Sequence, residues 1–363
     1  MAYLLLVCPF LFVTYFLKQN KRTLLIKDNI DYIFLFVLVI IMTLFFGLRY
    51  NVGKDYMSYY NNAKFGYYNK PQKGTGSMFE PAFVFLYAIG DFFDFAPNNI
   101  FILSGFILFL SLFVGIYKSS ESFLLSFFIF FGSGLFFFSF NELRQFVAVC
   151  IILNGYRFAS EKKIKEWCLI CFIAFLFHKS AIIVFPFYFF NKFKLSKKLI
   201  NLLIIVSFVI KKIGALKILC FCLTLIPGPY ASYADTLTWM PKSGGSGIIG
   251  ILYLVIVFSI NNFGTNELQN AMYRYYFYVF FFGAFFLNVF SDIYLVTRLM
   301  EYYLISIVVI FPLFIKILKK NYFTYIFAIL VILLFSANFI KYSLFPPSSA
   351  LLEYHTVFNK EGF

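Results

Sequence analysis

Charge is what this sequence has least of, and acid is the scarcer sign. Asp, Glu, Lys and Arg together make up 13% of the 363 residues, roughly half the share usual in soluble proteins. The 16 acidic residues are scattered, with no DxD-type cluster to hold a divalent ion. Histidine occurs twice, as His178 and His355. Six cysteines (Cys8, Cys150, Cys168, Cys171, Cys220, Cys222) all lie in apolar stretches; Cys168 and Cys171 are spaced C-x-x-C, but no second pair or nearby histidine completes a zinc site. Neither a metal nor a cofactor is expected. Residues 1–17 lack the basic start and small-residue cleavage site of a signal peptide and read as a retained span. No run alternates polar and apolar residues as barrel strands would, and neither a soluble domain nor an internal repeat is visible.

What the sequence has in abundance is apolar length. Hydrophobic residues make up 62% of the chain, and stretches such as 32–48 and 322–339 are apolar all round. Runs of about 18 residues can cross a ~30 Å hydrocarbon core as helices, and of the structures that satisfy the backbone in lipid, only helices fit this pattern. The expected fold class is all-α: a polytopic membrane protein with about twelve crossings. They fall near residues 1–17, 32–48, 98–117, 123–140, 146–159, 167–177, 181–190, 199–226, 248–260, 273–290, 295–315 and 322–340. Residues 81–95 read as a surface or re-entrant helix. The net charge of +15 comes from lysines and arginines in short loops, as the positive-inside rule expects, and not from a nucleic-acid surface. These loops orient residues 1–340 as a single transmembrane domain, with outer loops at about 49–97 and 227–247 and an extracytoplasmic tail at 341–363. The Asn-rich loop 261–270 has no basic residue of its own.

On this topology ionisable residues gather at the outer side, where basic residues are disfavoured: Arg49, Lys54, Asp55, Glu80, Glu142, Arg144, His178, Lys179, Asp292, Arg298 and Glu301. Ionisable groups at membrane depth usually face a cavity and have a partner. Some pairing is local, as for Arg298 with Glu301 at i,i+3. Arg49, Arg144 and Arg298 come from distant parts of the chain, and their planar forks suit phosphate oxygens. They point to an anionic lipid headgroup such as a polyprenyl diphosphate, whose departure arginines can assist without a metal. His178, at an outer turn, could take a proton from an attacking hydroxyl; Asp55 and Glu80 are rival bases. Tyr56, Tyr59 and Tyr60 could stack on sugar rings, or could simply be interfacial tyrosines. His355 lies in the tail, apart from these groups.

At these residues the chain resembles the EpsG-like, Wzy-type bacterial polysaccharide polymerases. GLRYNVGKDYMSYY (residues 47–60) is similar to the family's R-x-x-x-G-x-D-Y-x-x-Y segment, with Glu80-Pro81 as its downstream acidic position. NELRQFVA (141–148) resembles the N-x-x-R-Q segment that opens a helix; FHKSA (177–181) and Arg298 with Tyr302 and Tyr303 follow in order. Lys54 stands where the family has a small residue. The resemblance implies a GT-C-like membrane glycosyltransferase acting on undecaprenyl-diphosphate-linked oligosaccharide at the outer face of the inner membrane. Arg49, Asp55, Arg144, His178 and Arg298 are its implied site, and membrane lipid and a chain-length regulator its implied partners. A lipid-linked oligosaccharide flippase and a polysaccharide O-acyltransferase centred on His178 remain alternatives.

Overall fold

A computed structural model describes residues 27–66, 80–93, 97–215, 247–318, 322–344 and 354–359. The expected first span at 1–17, residues 67–79 of the first outer loop, almost all of the loop at 227–247 and most of the tail at 341–363 lie outside these residues. Among the described residues the fold is all-α apart from one two-residue strand pair.

Among the described residues the apolar runs form helices near the expected positions; residues 216–226 of the span expected at 199–226 lie outside them. In chain order these are α1 (Lys27–Gly47), strand β1 (Arg49–Tyr50), α2 (Tyr56–Lys64), α3 (Pro81–Phe92), α4 (Asn99–Ser119), α5 (Phe123–Gly132), α6 (Leu135–Asn141), α7 (Leu143–Ser160) and α8 (Ile164–Phe177). A 3-10 helix (Lys179–Lys192) follows, then α9 (Lys197–Ile213), α10 (Gly247–Phe263), α11 (Ala271–Val289), α12 (Tyr294–Leu299), α13 (Glu301–Leu304), α14 (Ile307–Leu318), α15 (Tyr322–Leu344) and strand β2 (His355–Thr356). Two described helices, Asn99–Ser119 and Thr324–Leu344, are each long and apolar enough to cross a membrane, and up to four spans result if each bent pair counts as one.

The first bent pair adds a break that the apolar run did not show. Residues 123–140 read as one crossing, but α5 and α6 meet at a bend of 58°. Gly134 adopts φ +89° there, a left-handed conformation that glycine enters without steric cost. The freed carbonyl of Gly132 accepts a hydrogen bond from Asn338 Nδ2 at 2.7 Å, and a Cβ on Gly134 would come within 2.9 Å of the Tyr342 ring. The stretch 295–315 breaks similarly, its two halves bent by 58°.

The chain forms two compact units. The first draws on the described residues of Met1–Gly155, Lys165–Ile182 and Leu334–Phe363, the second on those of Tyr156–Ile164 and Ile183–Leu333. In the first, α1 packs along α4 with little side-chain bulk between them: a Cβ on Gly47 would lie 2.5 Å from Ile102 Cγ1. Small residues permit such approaches where apolar burial cannot distinguish protein from lipid. The tail returns to this unit. β2 pairs antiparallel with β1, matching Arg49 with Thr356 and Tyr50 with His355; the Val357 amide donates to the Leu48 carbonyl at 2.9 Å, and Tyr354 stacks on Phe45 at 4.4 Å.

In the second unit, α11 is enclosed by α9, α10, α13 and α14. One end is closed by an amide network: Asn261 Nδ2 donates to Asn201 Oδ1 (2.9 Å) and to the Lys197 carbonyl (3.0 Å), while Lys197 Nζ donates to Thr265 Oγ1 (2.7 Å). The loop that lacks a base in sequence thus receives one from the start of α9.

Candidate active site

Beyond α1 the chain turns sharply into β1 and a short loop that together carry Arg49 and Asp55. The turn is built around the Arg49 side chain, which is 0% exposed. Its Nη1 donates to the Phe46 carbonyl (2.6 Å) and its Nε to the Val52 carbonyl (3.2 Å). The guanidinium carbon lies 3.7 Å from the Phe46 ring centre, 4.7 Å from Phe140 and 4.8 Å from Phe101. A cation desolvated among rings in this way gains ~2 kcal/mol or more from their negative faces. Arg49, expected with Arg144 at a diphosphate, is therefore enclosed and oriented towards the loop's own backbone.

The loop is then pinned against the end of α6. Gly53 has φ +108°, and a Cβ there would stand 2.5 Å from the Phe140 carbonyl oxygen. Asn141 Oδ1 accepts the Lys54 amide at 2.9 Å. The position therefore contributes its backbone N–H while the Lys54 side chain is exposed, which explains how a lysine fits where the resembling family has a small residue. Asp55 precedes α2 as its N-cap, exposed and without a side-chain capping bond.

The tyrosines of α2 point inward. Tyr56 is 0% exposed and stacked on Phe101 at 4.3 Å; Tyr59 is 6% exposed. Neither offers a face to a sugar, which corrects that reading for both: the loop pins place them on the buried side of a helix whose outer side carries Met57 and Ser58.

Glu80, Arg144 and His178 converge, although 64 and 98 residues separate Glu80 from its two partners. Glu80 is the N-cap residue of α3, with Pro81 opening that helix, a position where proline's missing N–H is not needed. Arg144 is the second residue of α7, carried into place by the α5–α6 bend. His178 stands between two helical forms: its amide donates to the Ala174 carbonyl (2.9 Å) as α8 ends, and its carbonyl accepts the Ala181 amide (3.0 Å) as the 3-10 helix begins. In the latter, Ala181, Val184 and Phe187 are buried, every third residue, as three residues per turn requires.

Glu80 Oε2 accepts Arg144 Nη1 at 2.5 Å and Oε1 contacts His178 Nδ1 at 2.9 Å. The carboxylate side chain is 7% exposed, the arginine 29% and the histidine 22%, so an enclosed anion holds two groups that are both partly exposed. Arg144 Nε also donates to the Tyr59 hydroxyl at 3.3 Å. Burial alone would push the Glu80 carboxyl up; the bond from His178 and the Arg144 charge outweigh it and hold the group at about 2. Glu80 is thus ionised and can only accept. Nδ1 of His178 must be the donor, and in the neutral ring this leaves the lone pair on Nε2.

Arg298 lies on α12 of the second unit, half-buried, with the buried Glu301 on α13. His355 is on β2, opposite Tyr50. The residue that the sequence undervalues is Tyr59, where a phenol beneath an arginine reads no differently from an interfacial tyrosine.

A model of the EpsG family matches residues 32–356, from within α1 to the last residue of β2. No curated protein and no solved structure matches the chain.

Proposed function

The chain belongs to the EpsG family, and from that premise we propose that it is a membrane glycosyltransferase that polymerises polysaccharide repeat units. The growing glycan, carried on undecaprenyl diphosphate, passes to a hydroxyl of the next lipid-linked unit. The observation that carries this reading is the Glu80 carboxylate, enclosed and gripping His178 with one oxygen and Arg144 with the other. An imidazole and a guanidinium held by one carboxylate, each partly exposed, support this reading.

In this reaction the acceptor oxygen attacks the anomeric carbon of the donor glycan. Its proton passes to His178 Nε2, the bond from the anomeric carbon to the diphosphate oxygen breaks, and the diphosphate leaves with the electron pair. A positioned base contributes about 10²–10⁴-fold. Arg144 stabilises the charge on the leaving diphosphate, a contribution of about 10²–10³-fold for one well-placed donor. Glu80 orients both groups. With its carboxyl held at about 2 it is itself a weak base, which favours His178 over Glu80 in that role. Arg298 is assigned to the donor diphosphate with Arg144, Asp55 to the acceptor sugar, and Arg49 to shaping the loop that bears Asp55. We place the protein in the bacterial inner membrane, with about twelve crossings and a GT-C-like arrangement, a single transmembrane domain over 1–340, the site at the outer face and a chain-length regulator as a partner.

The test is purified protein with a defined diphosphate-linked repeat unit. The wild type should produce a ladder without added metal, and Arg144→Ala and His178→Ala should not; normal ladders from both would overturn the reading. Gene deletion separates the alternatives: a lost polymerase leaves single repeat units at the cell surface, a lost flippase leaves none, and a lost acyltransferase leaves polymer of unchanged length.

A further inference from the structure

We propose that Tyr59 is a positioning residue, which fixes the plane of the Arg144 guanidinium through its hydroxyl. This rests on the reading of Arg144 as a diphosphate ligand.

A guanidinium is a rigid fork, and its direction is set only when more than one of its edges is held. The contact from Nη1 to Glu80 Oε2 holds one corner of it. The bond from Nε to the Tyr59 hydroxyl, at 3.3 Å, holds a second edge, and the ring lies below, 5.8 Å from the guanidinium carbon. Together they determine which edge of Arg144 meets a ligand oxygen.

Tyr59 is suited to act as this reference because the site's other elements also fix it. Its carbonyl accepts the Tyr87 hydroxyl of α3 at 3.5 Å, and Glu80 caps that same helix. Its ring packs on Phe83 of α3 at 6.2 Å and edge-on to Phe101 of α4 at 6.4 Å. One side chain thus ties α2, α3 and α4 to the arginine of α7. A tyrosine serving only as filler would need its ring here but no particular direction for its hydroxyl; this hydroxyl accepts a bond from Arg144, a partly exposed cation.

Inorganic pyrophosphate is the probe, with binding measured on purified wild type, Tyr59→Phe, Arg144→Ala and the double variant. Phenylalanine keeps the ring, and a thermal melt of each variant checks folding. Tyr59→Phe should weaken pyrophosphate binding about tenfold on the wild-type background, in keeping with the cost of a small misplacement, and should have no effect once Arg144 is alanine. That disappearance marks positioning, because a loss of packing would persist in the double variant. Unaltered binding by Tyr59→Phe while Arg144→Ala binds weakly, or equal losses on both backgrounds, would overturn this inference and leave the role of Arg144 standing. Wild-type affinity in Arg144→Ala, or no binding by the wild type, would overturn both.

Discussion

Arg49 and Arg144 look interchangeable in sequence, yet the first unit uses them in opposite ways. Arg49 is 0% exposed, ringed by Phe46, Phe101 and Phe140, and donates to two carbonyls of its own turn. Arg144 is 29% exposed and donates to a carboxylate and a phenol. Rings and carbonyls do not change protonation near neutral pH, so these contacts of Arg49 hold a shape. A carboxylate that also holds an imidazole can tune a proton acceptor, so those of Arg144 can take part in chemistry. On the proposed reading, the surroundings of the two cations, and not their shared charge, separate scaffold from site.

The largest effect should come from Glu80→Gln, which removes the negative charge that anchors Arg144 and leaves a single acceptor oxygen where two carboxylate oxygens served Arg144 and His178. Polymerisation should fall roughly 10³–10⁴-fold, the scale seen when an orienting carboxylate becomes an amide, in protein that remains in the membrane. Arg144→Ala comes next, with a loss of about 10²–10³-fold in rate. Arg49→Ala should differ in kind: a loss of stability on the order of 3–5 kcal/mol, seen as a lower melting temperature and less folded protein, with the rate per folded molecule nearly kept. A normal melt with abolished polymerisation would break the comparison, because Arg49 would then belong to the chemistry.

The pH dependence sharpens it. The Glu80 carboxyl lies at about 2, below its ordinary 4.5. Its ionised form therefore contributes stability that is fully present above its unfolded value and is lost as pH falls towards about 2. The gap in melting temperature between wild type and Glu80→Gln should be flat near neutrality and close below about pH 4.5; a gap that stays constant down to about pH 2 would show that the Glu80 charge is not its source. The smallest effect is expected from Lys54→Thr, where only the backbone amide is used. Rates should stay within about twofold, as for surface changes generally.

The fold was legible wherever composition alone decides it: apolar runs at 32–48, 98–117, 248–260 and 273–290 became α1, α4, α10 and α11 with small shifts at the ends. Breaks inside runs were not legible. The bend at Gly134 is supported by Asn338 and Tyr342, some two hundred residues away, and a window of eighteen residues cannot see them. The base missing from loop 261–270 likewise arrives from Lys197. In the site, Glu80, Arg144 and His178 stood out because charge is rare here, but their grouping required the tertiary fold. Asp55 and Glu80 stood as equals in sequence; burial and two donors now distinguish them. Tyr59 escaped because tyrosine is common in this chain and its hydroxyl gains meaning only from what lies above it.

The pairing of β2 with β1 imposes an order on biogenesis. Arg49 and Tyr50 leave the ribosome early, whereas Thr356 and His355, which complete their backbone bonds, leave some three hundred residues later. At about 5–20 residues per second, the turn that carries Asp55 waits many seconds with one edge open. A chain arrested before Val357 would insert most of its helices and still lack the clasp on the Arg49 turn. The Arg49 turn is thereby completed only once the segment through Val357 has been made.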